Sequence, residues 1–154
     1  MDIAQKIKER YGYVCKDVVK EFKKYDTKTQ DESGKIIQSD KFRKYTHKGT
    51  SGLTTEVDVG YERFLGPEMF FHPEFIHADW RAPLDEIVDN SIQSCPIDTR
   101  RKLYENIVLS GGSTLFKDFD QRLNKSVQQR VDDRLNQYLS LTKQAPKPIK
   151  VNVS

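Results

Sequence analysis

The stretch NIVLSGGSTLFKDF, residues 106–119, holds the arrangement most suited to binding chemistry. An apolar run, Ile107-Val108-Leu109, meets Ser110-Gly111-Gly112, and Ser113-Thr114 leads into helical spacing. Adjacent glycines have no Cβ, so a flat ring or a sugar can lie directly against their backbone. Leu115 and Phe116 supply an apolar wall beside them. The pattern is not a phosphate-cradling loop, because Lys117 is displaced and no glycine precedes it. It also lacks the G-x-G-x-x-G spacing of a dinucleotide turn. The residues alone leave two readings open: a site for a base or ribose, and a tight strand-to-helix turn that holds nothing.

Other chemistries find fewer of the groups they need. Ser110 or Ser113 as a nucleophile would require a histidine base and a carboxylate. The nearest histidine in sequence is His77, and no nucleophile-elbow spacing is present. Asp132-Asp133 falls in a strongly polar helical segment, where a solvated face is expected. His72 and His77 flank Glu74, yet a metal centre needs three or four converging ligands, so a structural role is expected for them. The stretch DTKTQDESG from Asp26 has Lys28 and Gln30 where a calcium loop needs oxygen ligands of another type and spacing. KFRKYTHK, residues 41–48, interleaves basic and aromatic side chains as single-strand nucleic-acid binders do. Cys15 and Cys95 match no metal spacing and read as reduced thiols.

Composition narrows the classes further. The chain has 154 residues, 36% of them hydrophobic and 10% aromatic, with a mean hydropathy of −0.75. That fits a folded, rather polar domain or a piece of a larger one. No apolar run approaches the ~18 residues of a membrane span, and residues 1–14 show no secretory h-region. The net charge of +3 is uneven: residues 1–50 carry 13 Lys/Arg against 8 Asp/Glu, and the rest carry 13 against 15. A basic end suits nucleic acid or an acidic partner, or a solvated helix face and surface loop.

The elements that must position the glycine turn follow from periodicity. Ile3, Ile7 and Tyr11 recur every four residues and predict a short amphipathic helix ended by Gly12. Cys15, Val18, Val19 and Phe22 predict the apolar face of a second helix, ending near Asp26. Residues 27–55 read as one long polar loop. Val57 and Val59 alternate as in a strand. Tyr61, Phe64, Leu65, Met69, Phe70, Phe71 and Phe75 read as a packed, irregular connector. Pro83 suits the first turn of a helix lined by Leu84, Ile87, Val88 and Ile92, and Pro96 opens another. Phe119, Leu123, Val127, Val131, Leu135 and Leu139 recur every four residues. Such a row drifts by roughly 40° per step, which predicts a docked helix whose far end leaves the body. The prolines of APKP stop it, and Ile149, Val151 and Val153 alternate as a closing strand.

Three segments carry a resemblance. CPIDTRRKLYENIVLSGGSTLFKDFDQRL, VDVGYERFLGPEMFFHPEF and ERYGYVCKDVVKEFKKYD resemble the actin superfamily, and the second is worded as in one of its actin-related branches rather than conventional actin. The likeness is strong over residues 1–26 and 56–131, weak over 27–55, and loose over 132–154. It implies the two-lobed α/β actin-like ATPase fold, of which this chain would be a part of the larger lobe. Residues 1–26 would be the helical end of the outer subdomain, 27–55 an inserted polar loop, and 56–154 a partial inner subdomain carrying the glycine-turn nucleotide site. The resemblance implies ATP as ligand, with Mg²⁺ in the full-length family. It assigns nucleotide contacts to Lys8, Glu9, Gly111, Gly112, Ser113, Leu115 and Phe116. It identifies no catalytic residue, because the family's phosphate-clamping hairpins and water-orienting residues are not among these 154. The expectation is a fragment without the N-terminal lobe and the C-terminus, which binds ATP as a structural part and is not by itself an ATPase. The implied partners are actin-related protein 2, the other subunits of the complex that nucleates branched actin filaments, and actin filaments themselves. The implied setting is the cytoplasmic cytoskeleton, with no nucleic acid and no membrane span. The rivals are a conventional filament-forming actin-like ATPase, a small basic nucleic-acid binder and an inactive truncated fragment.

Overall fold

Hydrophobic side chains gather in two places along this chain, and each gathering builds its own unit, Met1–Glu68 and Met69–Ser154. The computed structural model describes residues 3–26, 29–30, 36–37, 39–49 and 52–154.

In the first unit, helix α1 (Ile3–Tyr11) ends where the Gly12 N–H bonds the Lys8 carbonyl at 3.0 Å. Asp17 caps helix α2 (Val18–Tyr25): its extended backbone lets the carboxylate accept the Lys20 N–H at 3.0 Å. Val18, Phe22 and Tyr25 turn inward at helical spacing, whereas Val19 is 60% exposed and Cys15 precedes the helix. The apolar face is thus narrower than the sequence suggests. Strands β1 (Thr29–Gln30) and β2 (Ile36–Ile37) pair antiparallel, and so do β3 (Arg43–Lys48) and β4 (Thr54–Val59), with Tyr45 opposite Val57. The expected single polar loop over 27–55 is therefore largely hairpin where it is described. Residues 27–28, 31–35, 38 and 50–51 of that stretch, including most of the calcium-like sequence, lie outside the described residues.

Aromatic rings hold this unit together. Phe64 and Tyr25 are buried, and Phe22, Phe42, Tyr61 and Tyr13 pack around them with ring centroids 5.0–6.4 Å apart. Edge-to-face pairs of this kind stabilise beyond the area they bury. The segment read as an irregular connector contains helix α3 (Glu62–Glu68), with Pro67 inside it. Proline has no N–H to give the carbonyl four residues back. That carbonyl belongs to Arg63, and it accepts the Tyr13 N–H at 3.0 Å instead. A helix defect becomes a tie between two segments fifty residues apart in sequence. The Arg63 guanidinium continues the tie, donating to the Tyr25 hydroxyl at 3.1 Å and to the Tyr11 and Lys41 carbonyls at 3.2 and 2.9 Å. Glu68, fully buried, accepts from the Cys15 thiol at 3.3 Å.

The second unit is built on helices α4 (Leu84–Gln93), α5 (Ile97–Tyr104) and α6 (Phe119–Thr142). Pro83 and Pro96 precede α4 and α5 with extended backbone, as their fixed φ favours. Along α6, Phe119, Leu123, Val127 and Val131 are at most 1% exposed, and Leu139 is 41% exposed. The expected drift out of the body is present. The helix ends at Thr142, ahead of Pro146, on Lys143 in the left-handed region. Val153 pairs with Ile107 in a parallel bridge, so the closing segment and the apolar run before the glycines meet as backbone ribbons. Side chains of α6 hold the closing segment as well: Gln128 takes the Val151 N–H at 2.8 Å and donates to the Ile149 carbonyl at 2.9 Å.

Gly60 lies against the Phe42 ring, where an added Cβ would sit 2.2 Å from a ring carbon. Phe42 is itself wedged between Tyr25 and Tyr61. Gly60→Ala should therefore destabilise the first unit by about 1–3 kcal/mol, read as a lowered Tm by circular dichroism. An unchanged Tm would mean that the ring swings aside freely.

Candidate functional site

The glycine turn starts from helix α5. Its last residue, Tyr104, is fully buried, and its hydroxyl donates to the Asp89 carboxylate on α4 at 2.6 Å. The same hydroxyl accepts from Gln93 at 2.9 Å and from the Arg134 guanidinium on α6 at 3.2 Å. Arg134 also pairs with Asp89, and one turn earlier Arg130 pairs with Asp85 and, at 3.3 Å, with Glu86. Asp85 and Asp89 are 8% and 5% exposed, so their charges are neutralised where water is scarce. Burial pushes the Tyr104 phenol above its ordinary value, and the bond to Asp89 adds to this. Burial works against the charge on Arg134, but the Tyr104 bond and the Asp89 charge outweigh it and raise its pKa. Arg130 behaves likewise, with Asp85 as the outweighing partner.

This network corrects the expected face of α4. Leu84, Ile87 and Val88 were to line it with Ile92, yet Ile87 is 50% exposed and the residues buried with Ile92 are Asp85 and Asp89. The matched four-residue spacing of Asp85/Asp89 and Arg130/Arg134 was available in the sequence. Nothing local shows that the two pairs meet 45 residues apart.

From Tyr104 the chain runs into the parallel ribbon. The Ile107 N–H bonds the Asn152 carbonyl at 3.1 Å, and the Leu109 N–H bonds Ser154 at 2.9 Å. Gly111 then takes φ 105°, ψ 159°, a conformation that side chains rarely adopt. Residues Gly112–Leu115 follow as a single 3₁₀ turn, closed by the Thr114 N–H and hydroxyl on the Gly111 carbonyl at 3.1 and 2.7 Å. Asp118 sits in the left-handed region before α6, which aspartate tolerates. Phe119 anchors the far side against Phe70 and Phe71, at 5.4 and 5.7 Å between ring centres.

The turn brings Gly111, Gly112, Ser113, Leu115 and Phe116 together. Among the described residues a Cβ at either glycine would meet nothing within 4 Å, and Leu115 is 83% exposed. The result is bare backbone beside an uncovered apolar side chain, and Phe116 is half-buried next to them. Five of the seven residues expected to contact a nucleotide stand on this turn. Lys8 and Glu9 belong to the other unit, exposed on α1, where neighbouring side chains diverge by about 100°. Glu9 accepts from Gln5 at 2.8 Å.

Other sequence candidates take structural positions. His72 stacks on Phe75 at 5.2 Å and bonds Glu74 at 3.0 Å, which holds that carboxyl below its usual range. Among the described residues no group of three or more His, Cys, Asp or Glu side chains is placed to hold a metal ion. In KFRKYTHK the aromatic residues pack inward, Tyr45 at 7% exposed and Phe42 against Tyr25, while the cations stay outside. The rings that base stacking would need are committed to the core. No helix among the described residues is long and apolar enough to cross a membrane.

The actin family model matches residues 1–152. The chain is 52% identical to actin-related protein 3 of Drosophila melanogaster over 158 residues, covering 99% of this chain and 35% of the relative. It is 49% identical to actin-related protein 3 of Caenorhabditis elegans, over 99% of this chain and 34% of the relative. Identity to the protein of that name in Dictyostelium discoideum is also 49%, over 99% and 35%. The chain thus spans about a third of the length of the curated relatives it matches.

The two glycines should differ in what they tolerate. Gly111→Ala meets a backbone strain of about 1–3 kcal/mol, whereas Gly112→Ala enters open space and should change stability by less than about 0.5 kcal/mol. Thermal unfolding of both variants checks this, and equal losses would show that φ at Gly111 is not the constraint.

Proposed function

We propose a function from the premise that this chain belongs to the actin family: it is part of an ATP-binding, structural subunit of the complex that nucleates branched actin filaments. One observation carries the reading, the 52% identity to an actin-related protein 3 across 99% of the chain. The partners follow from it: actin-related protein 2, the further subunits of that complex, and actin filaments, within the cytoplasmic cytoskeleton.

ATP would place its base against the backbone of Gly111 and Gly112, with Ser113, Leu115 and Phe116 beside it. The open space around both glycines supports this. For Lys8 and Glu9, on the first unit, the family resemblance implies a donor with a positive charge and an acceptor for ribose hydroxyls. Phosphoryl transfer requires charge neutralisation and in-line positioning of the phosphates. These residues supply neither, so the reading is binding without turnover by residues 1–154.

Purification from native extract with an antibody to residues 56–75 tests the assembly. Mass spectrometry should find actin-related protein 2 and its complex among the partners, and their absence would overturn the assignment. The nucleotide site is tested separately by fluorescent etheno-ATP binding to the full-length protein. Gly112→Ala should weaken binding at least about tenfold, roughly 1.4 kcal/mol, while the Tm stays in place. Residues 1–154 alone should give no steady phosphate release. Release that Gly112→Ala abolishes would refute binding without turnover.

A further inference from the structure

We infer that Tyr104 is a positioning residue for the glycine turn, acting with Arg134 through the buried contacts with Asp89. The inference rests on the nucleotide reading only for its effect on ATP affinity.

The turn has little to fix it from within. Between Leu109 and Phe119 its ties include the 3₁₀ turn itself, the Thr114 contacts with Gly111 and the Phe119 N–H on Phe116. Gly111, Gly112, Ser113 and Leu115 are exposed. A segment with few buried contacts takes its shape from its ends. The buried side chains that flank it in sequence are aromatic, Tyr104 at 0% and Phe119 at 1% exposed.

Tyr104 ties several elements together around the turn. Its hydroxyl bonds Asp89 and Gln93 on α4 and Arg134 on α6. Its carbonyl accepts the Asn152 N–H at 2.9 Å, which starts the ribbon that carries Ile107 and Leu109 towards Gly111. Arg134 bonds both the hydroxyl and Asp89, and it stands on the helix that Phe119 begins. The two ends of the turn are thus referred to one buried carboxylate. Loss of the hydroxyl removes the hydrogen that Asp89 accepts and the oxygen that Arg134 addresses, and a buried polar group left short of its partner is costly. The helices keep their apolar contacts, so slack should appear in the exposed segment between them.

The test uses the full-length protein with Tyr104→Phe, which keeps the ring, and Arg134→Lys, which keeps the charge but not the two-pronged donor. Hydrogen exchange without nucleotide should speed up on the order of tenfold within residues 110–116 at the Thr114 amide, which the Gly111 carbonyl protects. Amides of residues 123–131 should keep their protection, whereas general destabilisation would release both sets together. Etheno-ATP affinity should fall in parallel with the loosened turn. Unchanged exchange at 110–116 in both variants, or equal release of 110–116 and 123–131, overturns the inference. Faster exchange at 110–116 with unchanged affinity upholds the positioning role and counts against the nucleotide reading. If one variant fails to fold, the other decides.

Discussion

Asp85 and Asp89 are withdrawn from water on helix α4, and their charges must be answered where they stand. Arg130 and Arg134 answer them at the same four-residue spacing on α6, and the Tyr104 hydroxyl completes the arrangement from α5. A purely apolar seam would tolerate sliding of one helix along another. Paired charges at matched spacing do not, because a shift of one turn leaves a buried carboxylate without its partner. The register of the three helices in the second unit, and so the two ends of the turn between α5 and α6, follows from this constraint.

The first unit solves the same problem with rings. Its core is a cluster of tyrosines and phenylalanines, and each tyrosine that enters brings a hydroxyl needing a partner. The Tyr13 hydroxyl meets Glu21 at 2.8 Å and that of Tyr25 at 3.1 Å. Burial, then the bonds to Tyr25 and Glu21, raise the Tyr13 phenol far above its ordinary value. Burial opposes the charge on Glu21, yet Lys24 and Tyr13 outweigh it and hold the carboxyl below its usual range. Arg63 and the carbonyl that Pro67 leaves free join the same cluster to the α1–α2 connection.

The glycine turn is little determined by packing. Gly111 is held where only glycine is at ease, whereas Gly112 leaves room that nothing among the described residues fills. A conformation that requires glycine beside a surface that merely permits it separates the demands of folding from the opportunity for a ligand.

By itself the sequence determined the periodic and the covalent features. The four-residue row from Phe119 to Leu139 placed α6 and its departure from the body, and proline marked the starts of α4 and α5. Three worded segments pointed to the actin family, to which the chain belongs. These signals are local, written within a turn or two of helix. The tertiary structure alone decided which polar residues went inside. Asp85 and Asp89 look like solvated helix positions until Arg130 and Arg134, 45 residues away, are seen to meet them. The rings of KFRKYTHK look available for stacking until Tyr25 and Tyr61 claim Phe42. Burial joins residues across long sequence distances, and a charge or a ring declares its side only when its partner is in place.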